Sequence, residues 1–319
     1  MIRGMRAYGF TETGGPENQA FLDVGVPRPG EGELRVRVRA AGVNPGDWRL
    51  REGAYGTAGP AVLGREVAGT VTAVGPGTTG FAPGDEVFGG CPGMVGGWAE
   101  EAIVTAGFAA HRPPDVRPED AAALPVAAGT AFDALTGLAL PPGATLLVNG
   151  AGGGVGVPVV QLARAAGLRV VGVASPRKHE LVARFGGTPV AYGEGVLDRV
   201  RAAAPQGVDA VFDLVGGDPL REVATLLTDP SRLRSVADKA LVAELGGGEV
   251  VRDRSTRVLE ELVGLVAAGA LDPHVTEVFP LAEAGRALAL VESGHAEGKV
   301  VLTPYDATRA AGRGGSRCR

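Results

Sequence analysis

Alternating apolar and polar positions mark the first part of the chain as rich in β-strand. Leu34, Val36 and Val38 alternate with three arginines, a pattern that predicts an antiparallel strand with one face in solvent. A second apolar segment, residues 67–74, runs into a Gly-Pro-Gly turn. We therefore predict one β-rich unit over residues 1–122.

The period changes after Pro118, where two acidic residues precede an Ala-rich helical stretch that runs to Leu138. From Ala144 onward, apolar strand patterns alternate with helical ones. The predicted strands are 145–148, 170–173, 208–214 and 232–236, and the predicted helices are 157–166, 178–185 and 257–268. This alternation predicts a parallel sheet with covering helices, an α/β unit over residues 123–272.

Short strands return near the C-terminus, at residues 275–279 and 299–302, with a helix between them. They are predicted to rejoin the first unit, so that residues 273–305 complete it. Residues 306–319 are small and basic and have no apolar period, which predicts a disordered tail.

The stretch from Leu146 to Gly156 is an apolar strand that breaks into glycines just before a predicted helix. Such a turn lets the backbone approach a pyrophosphate closely, and the start of the helix supplies N–H groups and partial positive charge. A tight connection would also use glycines, but a second strand ending at Ala174 favours a dinucleotide site. The candidate cofactor-binding residues of the turn are Asn149, Ala151, Gly153, Gly154, Val155 and Gly156.

The end of the second strand indicates which dinucleotide binds. NAD sites usually carry Asp or Glu about 20 residues beyond the glycines, where it accepts hydrogen bonds from the ribose 2′-hydroxyl. This chain has Ser175, Arg177 and Lys178 there, which would bind a 2′-phosphate instead. The sequence therefore predicts NADPH. The alternative is that Arg177 and Lys178 only solvate the start of a helix.

The charge balance, the apolar runs and the cysteine count exclude some classes of partner and indicate a cellular location. With 31 basic and 36 acidic residues and a net charge of −5, the chain has no broad basic field for nucleic acid. No run reaches the roughly 20 apolar residues needed to cross a bilayer, and no signal-type stretch follows the first six residues. Nucleic-acid and membrane partners are therefore disfavoured. Because the two cysteines, Cys91 and Cys318, suggest no disulfide framework, a cytoplasmic protein is predicted.

An ordered series of motifs, spread over about residues 5–303, resembles the medium-chain dehydrogenase/reductase superfamily. Within it the chain looks most like the zinc-free quinone oxidoreductase branch, which includes ζ-crystallin-like proteins and enoyl reductases. The motifs are GVNPGDW at 42–48, LGREVAG at 63–69, GFAPGDEV at 80–87, GWAE at 97–100, GGVG at 153–156 and GKVVL at 298–302.

The resemblance implies a particular α/β architecture. It has a GroES-like, β-rich catalytic domain over residues 1–122, completed by 273–305, and a Rossmann-type NADP-binding domain with a doubly wound parallel sheet over 123–272. An active-site cleft at the junction of the two domains is also implied. Relatives often pair an edge strand of the cofactor domain across a two-fold axis, so a homodimer is expected.

The chain departs from zinc-using relatives at their ligand positions. Those relatives have Cys where this chain has Asn44, and Gly-His-Glu where it has Gly64, Arg65 and Glu66. Catalytic zinc normally needs three protein ligands, and two cysteines cannot form a four-Cys structural lobe. The four histidines show no paired ligand spacing. No metal site is therefore predicted.

Carried over residue by residue, the resemblance implies roles for individual side chains. Asn44 and Asp47 would lie beside the nicotinamide and its ribose, Thr130 would meet the same end of the cofactor, and Lys299 is assigned to the cofactor site. The alternatives are that Asn44 only shapes a turn before Pro45 and that Thr130 caps its helix.

Two tyrosines are further candidates. Tyr55 matches a substrate-pocket tyrosine and, with Asn44 and Asp47, is a candidate catalytic residue. Tyr192 falls where related NADPH enzymes present a tyrosine to the 2′-phosphate region. The alternatives are a loop tyrosine that covers the core and a half-buried aromatic at a strand end.

Three functions are compatible with these residues. The first is an NADPH-dependent quinone oxidoreductase that transfers hydride to a quinone or conjugated carbonyl without zinc; it needs mainly orientation, with the reacting atoms about 3 to 3.5 Å apart. The product anion would take its proton from solvent or from a hydroxyl such as that of Tyr55. The second is an enoyl or enone reductase, acting for example on a polyketide-like intermediate. The third is an NADPH-binding structural or sensing protein with little turnover.

Overall fold

The computed structural model describes residues 4–304, and the tail predicted to be disordered, 306–319, lies outside the described residues. The chain divides into two compact units. Unit 1 is formed by the chain up to Val126, by Arg254–Ala267 and by the chain from Val275 onward. Unit 2 is formed by Ala127–Asp253 and Ala268–His274.

The strands are β1 Gly4–Phe10, β2 Gln19–Gly25, β3 Glu33–Val43, β4 Ala61–Val62, β5 Glu66–Val74, β6 Glu86–Gly90, β7 Glu101–Thr105, β8 Ala109–His111, β9 Thr145–Asn149, β10 Arg169–Ala174, β11 Thr188–Ala191, β12 Ala210–Asp213, β13 Leu233–Ser235, β14 Gly248–Glu249, β15 Val275–Pro280 and β16 Lys299–Thr303. The α-helices are α1 Pro45–Arg51, α2 Pro118–Ala122, α3 Gly129–Leu138, α4 Gly156–Ala165, α5 His179–Arg184, α6 Val196–Ala203, α7 Gly217–Ala224, α8 Lys239–Glu244, α9 Thr256–Ala267 and α10 Ala284–Glu292. A π-helical turn covers Leu124–Ala128, and short 3-10 turns cover Pro16–Asn18, Pro92–Met94, Ala106–Phe108, Pro176–Lys178, Pro230–Arg232 and Leu281–Glu283.

The larger sheet of unit 1 has seven strands, in the order β15-β16-β3-β5-β6-β8, with β7 also paired to β3. Leu34, Val36 and Val38 of β3 are buried in its core, as the alternating pattern predicted. Since β16 runs antiparallel to β3, the C-terminal strands belong to the same sheet as the strands of the first third of the chain. A smaller sheet has the order β2-β1-β4.

Unit 2 contains a six-stranded parallel sheet in the order β11-β10-β9-β12-β13-β14. Leu146 and Val148 of β9 pack into one apolar cluster, and Leu147, between them, packs into another. Both faces of the sheet are therefore covered, which explains why its strands are continuous apolar runs rather than alternating ones. The predicted α/β fold class is confirmed.

The order of strands reverses beside β9. The chain passes from β9 to β10 and β11 on one side, and then crosses to β12 and β13 on the other. Ligands of open parallel sheets bind outside the carboxyl ends of the strands at such a switch point. A cofactor is therefore expected to bind at the loops that follow β9, β10 and β12.

Two features differ from the sequence-based expectation. The Ala-rich stretch is not one helix: α2 and α3 are separated by the π-helical turn that contains Pro125, a residue that lacks the N–H a regular helix needs. Helix α9 falls in unit 1 rather than in the cofactor domain predicted to extend to residue 272. Helix α9 packs on β8 and on the 3-10 turn Ala106–Phe108, and Thr256 Oγ1 at its start donates to Ala106 O at 3.3 Å.

Candidate functional site

The predicted dinucleotide turn lies at the switch point of unit 2, between the end of β9 and the start of α4 at Gly156. Gly150 has a φ of +94°, a conformation that favours glycine. The N–H groups of Gly150 and Ala151 both donate to Val173 O at 3.0 Å, which fixes the turn to β10. A Cβ at Gly156 would lie 2.4 Å from Gly150 O, so glycine alone lets α4 begin this close to the turn.

The start of α4 is open to an anion. Helix N-termini leave backbone N–H groups unpaired and carry partial positive charge. The first turn of α4, which lies within the described residues, has no side-chain cap and no acidic residue. Gly153, Gly154 and Val155 lead into it. This arrangement fits the pyrophosphate of a dinucleotide.

Ser175, Arg177 and Lys178 follow the end of β10. The Ser175 hydroxyl is buried and has no hydrogen-bond partner among residues 4–304. The stem of Lys178 packs on the glycine turn, since a Cβ at Gly152 would lie 2.7 Å from Lys178 Cδ. Buried polar atoms are normally hydrogen-bonded, so a buried hydroxyl without a partner is unusual. A buried hydroxyl next to two basic residues fits a phosphate group.

A buried lysine holds together three distant segments of unit 1. Lys299, the first residue of β16, is 3% exposed. Its ammonium donates to Val43 O at 3.2 Å, to Asn44 Oδ1 at 2.8 Å and to Glu66 Oε1 at 2.9 Å. Because an ammonium group has three donors, Lys299 is fully hydrogen-bonded inside the protein. We call Asn44, Glu66 and Lys299 the Lys299 cluster.

Glu66 is the anion of this cluster and is completely buried. Its Oε1 also accepts from Asn44 Nδ2 at 2.8 Å, and its Oε2 accepts from Val126 N at 2.7 Å. A Cβ at Gly42 would lie 2.0 Å from Glu66 Oε1, so the glycine makes room for the carboxylate. Glu66 was not a predicted site residue, although a carboxylate that opens an otherwise apolar strand was a usable signal.

Asp47 lies beside the Lys299 cluster, in the first turn of α1, and is also completely buried. Its Oδ2 accepts from Asn44 N at 2.8 Å and its Oδ1 from Gly64 N at 3.3 Å. Burial raises the pKa of Asp47 from 3.8 to about 6, although Arg65, with Nε 3.8 Å from Oδ1, lowers it. The structure thus brings the predicted residues Asn44, Asp47 and Lys299 together.

Three further predicted site residues are two exposed tyrosines and a buried threonine. Tyr55 of unit 1 is 51% exposed, and Tyr192 of unit 2, which follows β11, is 64% exposed. Thr130 of α3 is buried, and its hydroxyl accepts from Arg252 Nη1 at 2.8 Å. Arg252 Nε also donates to Asp133 Oδ2 at 2.7 Å, so Thr130 belongs to a buried polar group that the sequence did not indicate.

Asp213, at the end of β12, is a second buried carboxylate that was not predicted. Its Oδ1 accepts from Asn149 Nδ2 at 2.7 Å, and its Oδ2 accepts from Ser235 Oγ at 2.7 Å and Gly216 N at 3.0 Å. It therefore ties together the ends of β9, β12 and β13. A carboxylate at the carboxyl end of an otherwise apolar parallel strand was the available signal.

Comparisons with known proteins identify the family to which the chain belongs. Residues 30–114 match the family described as "Alcohol dehydrogenase GroES-like domain", and residues 186–302 match "Zinc-binding dehydrogenase". The chain is 31% identical over 323 residues to the quinone oxidoreductase of Lama guanicoe, covering 94% of this chain and 98% of that protein. The chain belongs to the medium-chain dehydrogenase/reductase superfamily.

Other relatives of this dehydrogenase/reductase differ in size. This chain is 38% identical over 288 residues to erythronolide synthase EryA2 of Saccharopolyspora erythraea. The aligned region covers 85% of this chain but only 8% of that protein. Among solved structures, the quinone oxidoreductase of Coxiella burnetii has a TM-score of 0.88 at 27% identity, covering 95% of this chain and all of the other. The mycobacterial protein Rv1454c complexed with NADPH has a TM-score of 0.83 at 31% identity, with 94% and 100% covered.

Zinc-using members of the superfamily have Cys and His where this dehydrogenase/reductase has Asn44 and Arg65. Asn44 is bound to Glu66 and Lys299, and Arg65 Nη2 donates to Gly46 O at 2.7 Å. Within residues 4–304, no three His, Cys, Asp or Glu side chains form a group that could hold a metal ion. Zinc independence stays a prediction.

None of the helices within residues 4–304 is long and apolar enough to span a membrane.

Asp47 is expected to make the stability of this dehydrogenase/reductase depend on pH. Since folding raises the pKa of Asp47 from 3.8 to about 6, the folded protein holds this proton more tightly than the unfolded chain. The resulting contribution is present below the unfolded pKa and is lost as pH rises through the folded one. The difference between the two pKa values corresponds to about 3 kcal/mol.

The measurement compares the wild type with Asp47→Asn, which cannot ionise at this position. Trp48 and Trp98 are the chain's two tryptophans and both lie in unit 1, so their fluorescence during urea unfolding reports on that unit. The stability of the wild type relative to the variant should fall as the pH is raised from about 4 to about 7. A difference that stays constant or grows over this range would contradict the raised pKa.

Proposed function

We propose that this protein is an NADPH-dependent quinone oxidoreductase that transfers hydride to a quinone or another conjugated carbonyl compound without zinc. The observation that carries the proposal is the Lys299 cluster. At a position where zinc-using relatives have a ligand, Asn44 is hydrogen-bonded to a buried lysine and to the glutamate that pairs with this lysine. An acceptor that is already electrophilic needs orientation more than a Lewis acid.

The residues of unit 2 support NADPH as the hydride donor. The turn from Gly150 to Gly156 and the start of α4 would hold the pyrophosphate. Ser175, Arg177 and Lys178 would bind the 2′-phosphate, and no carboxylate follows β10 directly to repel it. NADPH supplies the hydride when bound. The structural similarity to Rv1454c, whose structure contains NADPH, points to the same cofactor.

The residues of unit 1 would position the reacting end of the cofactor and the acceptor. Asn44 and Asp47 would lie beside the nicotinamide, with Lys299 and Glu66 holding Asn44 in place through both atoms of its amide group. Tyr55, which is half exposed, would line the substrate pocket. The proton that completes the reduced acceptor would come from solvent or from the Tyr55 hydroxyl.

The second candidate is an enoyl reductase, in which hydride goes to the β-carbon of an unsaturated thioester. The similarity to a segment of EryA2, which covers 85% of this chain, favours it.

A cytoplasmic location and a homodimer stay predictions.

The test is NADPH oxidation, followed by loss of near-ultraviolet absorbance, with naphthoquinones, enones and enoyl thioesters as acceptors and NADH as the alternative donor. Turnover with a naphthoquinone and a clear preference for NADPH would support the proposal. Turnover restricted to enoyl thioesters would favour the second candidate. NADPH binding with no turnover across the panel would contradict both and favour the structural or sensing role.

A further inference from the structure

The side chain of Arg65, in unit 1, is held in one position by its neighbours. The residue lies between Gly64 and the start of β5, and its side chain is 12% exposed. Its Nη2 donates to Gly46 O at 2.7 Å. A Cβ at Gly46 would lie 2.3 Å from Arg65 Cζ and 2.4 Å from Nε. The guanidinium therefore occupies the space left by the missing side chain of a residue in α1.

Most of the donors of Arg65 have no acceptor among the residues that the structure describes. A guanidinium has five N–H donors, but among the described residues its only hydrogen bond is the one to Gly46. The Nε atom is buried and has no partner among residues 4–304. The nearby Asp47 Oδ1 lies 3.8 Å from Nε, which is too far for a hydrogen bond. A buried cationic donor without an acceptor is costly, so a ligand oxygen that completes it would bind favourably.

A flat aromatic surface lies next to these donors. The Arg65 guanidinium carbon lies 4.8 Å from the centre of the Tyr55 ring, and 51% of Tyr55 is exposed. This contact holds the ring against the guanidinium by a cation–π interaction. The ring therefore covers one side of the guanidinium, and its exposed part would border a molecule that binds Arg65.

We propose that Arg65 binds the carbonyl oxygen of the hydride acceptor and stabilises the negative charge that this oxygen gains, while Tyr55 holds the guanidinium in place and borders the acceptor. This rests on the proposed function, under which Asp47 lies beside the nicotinamide and Arg65 is its neighbour. The acceptor gains one hydrogen and two electrons as hydride from bound NADPH, which is oxidised to NADP⁺. Its carbonyl oxygen becomes an oxyanion, and solvent then supplies the proton.

The experiment measures kcat and KM for a neutral 1,4-naphthoquinone, together with the Kd of NADPH from its fluorescence. Arg65→Met is expected to lower kcat about 100-fold, because removing one oxyanion donor has an effect of that order. Arg65→Lys should recover about tenfold of this loss, since it keeps the charge but not the forked geometry. The Kd of NADPH should stay within about twofold of the wild type in both variants.

Two further variants make the result specific. In Gly46→Ala the added methyl group displaces the guanidinium from its position beside α1 but leaves its charge. This variant should therefore lower kcat, as Arg65→Met does. Arg49→Met is the matched control, because Arg49 also lies over an aromatic ring, that of Trp48 at 5.3 Å, but forms no ion pair with Asp47 within residues 4–304. It should leave kcat unchanged.

The failure of this inference can be distinguished from failure of the proposed function. A wild type that reduces the quinone while Arg65→Met keeps kcat within about threefold would overturn the role of Arg65 alone. A loss that appears only in the Kd of NADPH would also overturn it, because Arg65 would then act on the cofactor. A wild type that turns over no acceptor would overturn both.

Discussion

Replacing Lys299 with methionine is expected to lower the free energy of unfolding of unit 1 by about 3–5 kcal/mol, the usual effect of removing one partner of a buried ion pair. Glu66 would remain completely buried and would lose its positive neighbour. Asn44 Oδ1 and Val43 O would also lose the donor that satisfies them. Methionine has similar length and fills the same space, so the change in packing is small.

The measurement is urea unfolding followed by tryptophan fluorescence, which reports on unit 1. The double variant Lys299→Met/Glu66→Gln closes a mutant cycle, and it should be more stable than the sum of the two single effects predicts, because it leaves no buried charge. Arg286→Met is the control. Arg286 pairs with Glu283 at the surface of the same unit, with 74% of its side chain exposed, and its loss should change stability by less than about 1 kcal/mol.

Two results would contradict this expectation. One is a loss in Lys299→Met no larger than in Arg286→Met. The other is strict additivity in the mutant cycle, which would mean that Lys299 and Glu66 contribute independently of each other. Either outcome would show that Lys299 and Glu66, although close in space, do not act as a coupled buried ion pair.

The features that could be predicted from the sequence are those encoded by neighbouring residues. The alternation through Leu34, Val36 and Val38 located a strand because side chains alternate between the faces of a sheet. The apolar run of β9 followed by glycines located a strand, a turn and a helix within twelve residues, Thr145 to Gly156. The parallel sheet followed from the alternation of strands and helices.

The contacts that make the candidate site depend on residues far apart in the chain. Lys299 and Glu66 are separated by 233 positions, and no period or spacing connects them. The family motifs did include both residues, but a motif does not say that the lysine ammonium binds the glutamate. In the sequence, Arg65 stands out only as a departure from a zinc ligand. Its contacts with Gly46 and Tyr55 became visible only in the folded chain.

Ser175→Asp is expected to weaken NADPH binding about 100-fold or more. The Ser175 hydroxyl is the buried polar atom without a partner at the end of β10. A carboxylate in its place would repel the 2′-phosphate, and two like charges about 4 Å apart near a protein surface repel by about 4 kcal/mol. About 2.7 kcal/mol is enough for a 100-fold change in Kd. NADH should be bound as well as before or better, because a carboxylate accepts hydrogen bonds from the ribose 2′-hydroxyl.

Controls separate the lost hydroxyl from the added charge. Ser175→Ala removes the donor alone and should weaken NADPH binding about tenfold, the effect of one hydrogen bond to a charged group. Gln206→Asp adds the same charge to unit 2 but lies with Thr145 and Arg169, at the amino ends of β9 and β10, away from the cofactor turn. It should leave both Kd values unchanged.

The Kd values of NADPH and NADH are measured by nicotinamide fluorescence at fixed ionic strength, because salt screens the repulsion. The decisive quantity is the ratio of the two, since a general disturbance of the turn would weaken both cofactors alike. A ratio in Ser175→Asp equal to that of the wild type would show that the 2′-position is not recognised at the end of β10. The NADPH preference proposed here would then have no structural basis in Ser175, and the basic residues after it would only solvate the start of α5.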